Sequence, residues 1–157
     1  MNNYFIPNRY LIKDLAINTG TTANPVYTNL CTTSEVGLET ELEEKDFYVY
    51  CDSIQRKLVT GSSVTLTGTL KLDANNAGDM ALLEKAHALI STGSIAQFNN
   101  VMIQFKLLTG VANEVLTYKT YNANVTLSLN DLGGSAEDEA EFSFEMALIG
   151  TATEVNG

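Results

Sequence analysis

The sequence predicts a mainly β domain, a β-sandwich or small barrel of antiparallel strands with one flanking α-helix over about residues 77–91. Three observations carry this. Apolar and polar residues alternate with period two in segment after segment, the mark of strands with one buried and one wet face. A single stretch switches to helical spacing. Clusters of Gly, Ser and Thr separate the periodic segments, as turns do. The chain has 157 residues, 45% of them hydrophobic and 18% charged. That is enough to bury a core and suits one domain. Residues 31–157 are expected to form it.

Residues 1–30 are rich in Asn and Thr with little periodicity, and read as an extended arm that orders against a partner surface. Short strands are expected at 38–42 and 46–51. Over 63–72, Val64, Leu66, Leu70 and Leu72, with Gly68 in phase, alternate with Thr65, Thr67, Thr69 and Lys71. The helix comes next: Met80, Leu83, His87 and Ile90 recur at spacings of three, four and three, with Leu82, Ala86 and Leu89 beside them. Asn76 is placed to cap its start, Asp79 to favour the helix N-terminus, and Gly93 to end it in a left-handed conformation. Strands at 101–108 and 115–119 lead to the clearer alternation over 121–129, where Tyr121, Ala123, Val125, Leu127 and Leu129 oppose Asn122, Asn124, Thr126 and Ser128. The last strand, 141–149, sets Phe142, Phe144, Met146 and Leu148 against Glu141, Ser143 and Glu145. Turns are expected at 60–63, 109–110 and 132–135.

Nine Lys and Arg face 19 Asp and Glu, for a net charge of −10. Tight nucleic-acid binding is thereby disfavoured, because such affinity rests on cations that displace counterions from phosphate. The stretch 86–105 lacks charges but carries Ser, Thr, Gln and Asn, too polar for a bilayer core. The start has no basic region before an apolar run, so no secretory signal is read there and a cytoplasmic protein is expected. Cys31 and Cys51 are then expected as free thiols. Asn124-Val125-Thr126 matches a glycosylation acceptor but falls within a strand.

Chemistry is sparse. His87 is the only histidine, sits on an apolar helical stripe, and reads as a core or interface residue, which leaves no Ser-His or Cys-His pair with a local motif. Zinc and calcium spacings are absent, and the run 137–139 reads as a solvated turn. Gly133-Gly134 is followed by acids, the wrong sign for a phosphate loop. No catalytic, cofactor or metal residue is assigned, and an enzyme is not expected.

Together the segments 33–41 (TSEVGLETE), 46–52 (DFYVYCD), 59–70 (VTGSSVTLTGTL) running into the helix, 121–129 (YNANVTLSL) and 141–145 (EFSFE) resemble a tailed-bacteriophage major tail tube protein of the siphophage type. The likeness spans about residues 30–150. It implies a structural virion protein, six copies of which form a ring, with rings stacking into a hollow tube through which DNA is ejected. It also implies the partners: further copies of itself, tape measure, tail tip or baseplate and tail terminator proteins, and viral DNA passing without tight binding; no membrane is involved. The place implied is the virion tail, assembled in the bacterial host cytoplasm.

A conduit for DNA should be wet and negative, since lumen cations would grip phosphate. Strands with Thr, Ser and Glu on the polar face suit a water-filled barrel. Thr65, Thr67, Thr69, Glu141, Ser143 and Glu145 are the lumen candidates, and Lys71 is the one departure from a non-basic face. Glu39, Glu41 and Glu43, with Arg56 and Lys57, are the candidates for contacts between subunits or rings, as complementary charge that orients docking. Two competing readings share much of this pattern: the inner tube of a contractile tail or bacteriocin-like injection device, and a monomeric β-sandwich serving as a decoration or binding module.

Overall fold

The computed structural model describes residues 5–30, 33–48, 54–93, 95–132 and 140–155. A 3-10 turn, η1 (Asn8–Tyr10), leads into β1 (Ile12–Asn18) and β2 (Tyr27–Asn29). Next come β3 (Thr33–Phe47) and β4 (Arg56–Lys71), then the helices α1 (Ala77–Thr92) and α2 (Ala96–Asn99). The chain closes with β5 (Val101–Ala112), β6 (Val115–Leu132), β7 (Glu141–Leu148) and β8 (Thr153–Glu154). All pairings are antiparallel, in the order β2-β1-β5-β6-β7-β4-β3, with β8 on β6. This is the mainly β architecture with one substantial helix that the periodicity predicts.

The sheet folds over on itself. One apolar cluster joins Leu15 and Ile17 of β1, Leu66 and Leu70 of β4, Ile103 of β5, Val125 of β6 and Phe144 and Met146 of β7. A cavity of about 330 Å³ is lined by both β1 (Ile12, Leu15) and β3 (Thr33, Val36), strands that lie toward opposite edges of the sheet. Curling of this kind lets a single sheet enclose its own core.

The expected arm is corrected here. Ile12, Leu15, Ala16, Ile17 and Leu30 are all buried, and β1 pairs with β5 from Ile12↔Leu107 to Ile17↔Ile103. Its alternation escapes a period-two search because the register shifts between Lys13 and Ala16, where Asp14 takes a φ of 51°. Such a bulge puts one extra residue in the strand and reverses the phase of every residue beyond it.

Bulges also absorb two expected turns. Thr60 is the unpaired residue between Glu43↔Gly61 and Glu44↔Val59, so 60–63 continues β4, and β3 is one long strand where two short ones are expected. Thr109 is likewise skipped between Leu108↔Tyr118 and Gly110↔Thr117. The chain instead reverses at Asn113 and Glu114, with φ of 52° and 64°, the two positive values of a two-residue hairpin loop. The expected turn at 132–135 and both cysteines lie outside the described residues, save for the end of β6.

Helix α1 keeps its predicted ends. Asn76 Oδ1 accepts from the N–H groups of Gly78 (2.9 Å) and Asp79 (3.2 Å), and Gly93, at φ 69°, donates to the Leu89 carbonyl. Its buried face is not the predicted one. Leu82 and Ala86 face the core, whereas His87 and Ile90 are exposed. The helix carries apolar residues on more than one side, and the sheet meets the 82/86 row. Beyond the helix, Lys85 Nζ donates to the Gln97 carbonyl and Gln97 Nε2 donates to the Lys85 carbonyl, clasping α1 to α2. Burial lowers the Lys85 pKa, opposed by neighbouring Glu84. Asn76→Ala should cost about 1 kcal/mol by leaving helix N–H groups without their cap. Thermal melting should register a fall of about 2–4 °C per kcal/mol in a chain of this size.

Candidate assembly surface

Strand β4 holds its apolar set, Leu66, Gly68 and Leu70, against the core, so the intervening Thr65, Thr67 and Thr69 stand on the opposite side. The β7 register sets Thr67 against Glu145, Thr69 against Ser143 and Lys71 against Glu141. Directly opposed residues share a face, and the hydroxyls of Thr69 and Ser143 lie 3.3 Å apart. All six lumen candidates therefore converge on one wet face. Each is at least partly exposed.

The face is wider than the six residues. Strand β3 places Glu35 opposite Thr69 and Glu39 opposite Thr65, and a Cβ on Gly37 would lie 3.2 Å from Thr67 Oγ1. From β6, Ser128 opposes Glu145 and Thr126 opposes Ala147. Glu35 is hard to place from sequence, because β3 shifts register between Thr33 and Glu35. Ser128 and Thr126 show their polarity in the alternation; it is the pairing that joins them to β7. The strands of this face thus carry Glu35, Glu39, Glu141 and Glu145 against one lysine, Lys71, aligned with Glu141, while Arg9 borders the open cavity that Glu35, Thr67, Thr69, Ser143 and Glu145 line. Helix α1, through Leu82, packs on the core side of the same sheet, and so lies on the opposite side from this face.

Strands β3 and β4 run past the rest of the sheet. Pairing with β7 begins at Thr65↔Ala147, whereas β3 and β4 stay paired out to Phe47↔Arg56. Residues 41–47 and 56–63 thus form a two-stranded ribbon with no third strand among the described residues. Leu42, Leu58 and Val59 are each more than half exposed on it, as are Tyr48 and Ile54 at its end. Glu41 and Glu43 continue the face of Glu39, opposite Ser63 and Gly61. Arg56 and Lys57 sit at the tip on opposite faces, paired with Phe47 and Asp46. Lys57 Nζ lies 3.9 Å from Glu44, both well exposed, a pair of little energetic weight. The five candidates for contacts between subunits are thereby spread along one projection, the acids at its root and the cations at its tip.

Among the described residues no group of three or more His, Cys, Asp or Glu could hold a metal ion, and no helix is long and apolar enough to cross a membrane.

No family model and no curated protein matches the chain. Solved structures do. A chain of the SPP1 tail tube aligns with a TM-score of 0.59 at 12% identity, over 92% of this chain and 76% of that one. A chain of the native gene transfer agent virion gives 0.54 at 15% identity, over 91% and 96%. The sheath-tube complex of the PVC extracellular contractile injection system gives 0.53 at 14% identity, over 97% and 93%. These likenesses establish the fold.

Proposed function

We propose that the protein is a structural subunit, with no enzymatic role, that polymerises as stacked rings into the hollow tube of a phage tail. The observation that carries this is the β3–β4 ribbon. A two-stranded ribbon is marginal in water, and this one exposes several large apolar side chains, which a second copy would cover. Among the described residues its outer strand β3 pairs only with β4, leaving a long edge on which a neighbour's sheet can continue. The fold shared with chains of a tail tube and of a sheath-tube complex supports the same reading, as much for an inner tube within a contractile sheath as for an unsheathed tail.

The wet face then lines the lumen, with Thr65, Thr67, Thr69, Ser143, Glu141 and Glu145 meeting the passing DNA and α1 turned to the outside. Such a lining repels phosphate and keeps DNA from adhering. In a hexameric ring, six copies at −10 carry −60. Acids at the ribbon root, Glu39, Glu41 and Glu43, and cations at its tip, Arg56 and Lys57, orient neighbours. Tape measure, tip or baseplate and terminator proteins are the further partners of such a tube. Its place is the virion tail, after assembly in the host cytoplasm.

The test is electron microscopy of the purified protein over a range of concentrations. Hollow rods or stacked rings are expected, and a monomer at every concentration, also with a tail-tip complex added, would overturn the proposal. In a background lacking the native cysteines, a cysteine at Thr67 should be shielded from a bulky maleimide in rods, while one at Ile90 is labelled. The reverse pattern would turn the lumen assignment inside out.

A further inference from the structure

We infer that a cation cluster formed by Arg9 and Lys13 receives the acidic root of the β3–β4 ribbon, Glu41 and Glu43, of a second copy. This contact rests on the tube reading above. In a chain with only nine basic residues, three gather at one spot around two tyrosine rings. The Arg9 guanidinium lies 4.9 Å from the Tyr10 ring centre, and Lys13 Nζ lies 5.6 Å from Tyr10 and 5.1 Å from Tyr118. Tyr118 Oη donates to the Tyr10 carbonyl at 2.7 Å, fixing η1 to β6. The third cation, Lys106, is taken by Asp14 at 3.2 Å. Among the described residues no acid forms an ion pair with Arg9 or Lys13. Aromatic faces hold a cation in place yet leave its outward N–H groups open to a carboxylate.

These two cations rim the 330 Å³ cavity between β1 and the start of β3, with Asn29 and Thr33 in its wall. Arg9 also borders a larger open cavity with Glu35 and Glu145, but neither acid is within ion-pair distance. On the other side of the contact, Glu41 and Glu43 face small, uncharged partners, Ser63 and Gly61, and no cation among the described residues pairs with them.

Placement decides what kind of association results. The cation cluster stands at the Thr33 end of β3 and the acidic root lies beyond Thr40, eight residues or roughly 26 Å along the same strand at the usual rise. Complementary charges that far apart on one subunit cannot satisfy each other within it. They join copies head to tail, the geometry that closes rings or extends stacks. Rim charges of this sort set orientation and salt dependence.

The experiment compares the critical concentration for polymerisation of the full chain, the R9E/K13E and E41K/E43K variants, and the combination of all four. Each reversal alone should raise it at least ~10-fold at 0.15 M salt, and the combination should restore it to within about threefold, since the pairing is re-formed with its sign exchanged. Normal polymerisation by R9E/K13E, or a combination as defective as either reversal, overturns the inference while leaving the tube reading intact. Failure of the unaltered chain to polymerise at all overturns both. Should a reversal variant misfold, zero-length carbodiimide cross-linking of unaltered polymers decides. A Lys13 link to Glu41 or Glu43 between copies is expected, and Lys13 links only to other acids overturn the contact.

Discussion

Phe144→Ala should remove about 3–5 kcal/mol of folding stability, among the largest losses a single side chain here can produce. Phe144 is 1% exposed and stands at the centre of the curled sheet, opposite Gly68 on β4 and Leu129 on β6. Its ring lies over the glycine: a Cβ on Gly68 would come within 2.5 Å of Phe144 Cζ and 2.9 Å of the Glu35 carbonyl. The glycine, a weak strand residue on its own, is there to admit the ring, as aromatic residues across from strand glycines often do. Removing the ring leaves a cavity that three paired strands cannot close without breaking register. In a chain of this size, 3–5 kcal/mol corresponds to a melting temperature lower by about 6–20 °C. Gly68→Ala should also destabilise, but by less in the Phe144→Ala background, where the ring no longer opposes the new methyl. A double-mutant cycle by chemical denaturation reads that coupling; strictly additive costs would show that ring and glycine do not act as one unit.

The same strand pair shows how far the sequence is legible. Phe142, Phe144 and Met146 against Glu141, Ser143 and Glu145 is alternation without interruption, and the structure keeps every residue on its predicted side. The helix caps are equally readable, because Asn76 and Gly93 act through local backbone geometry. Legibility ends where the phase slips. The bulges at Asp14, Thr60 and Thr109 each add one residue to a strand, and period-two reasoning takes such a slip for a turn or for irregular chain. That is how β1 reads as an arm and why the length of β3 and β4 escapes the pattern. The choice of helix face is closed to sequence for another reason: Leu82 and Leu83 are equally apolar, and only the sheet decides which is covered. The six residues of the wet face are individually visible as polar positions, whereas their convergence depends on β4–β7 register, a long-range pairing that no local pattern encodes.

Replacing Leu42, Leu58 and Val59 together by serine should abolish the proposed polymerisation at concentrations that support it in the unaltered protein, with the fold of the chain retained. The three side chains are already 54–59% exposed, so each change should shift subunit stability by no more than about 0.5 kcal/mol, as at other surface positions. Their worth is in the assembly. Burying the remainder of three aliphatic side chains at a subunit contact contributes roughly 1 kcal/mol apiece, and losing about 3 kcal/mol raises the critical concentration roughly 100-fold. Leu42 and Val59 lie on the face that continues from the core side of the sheet, while Leu58 follows Glu43 across the Thr60 bulge onto the other. A ribbon that is apolar on both faces is one to be enclosed by its neighbours rather than laid on a single surface. Sedimentation at graded concentration, with circular dichroism melting as the control for folding, reads both quantities. An unchanged critical concentration would show that the ribbon projects into solvent in the assembled state and that the subunits are held by the β3 edge and the charged contacts alone.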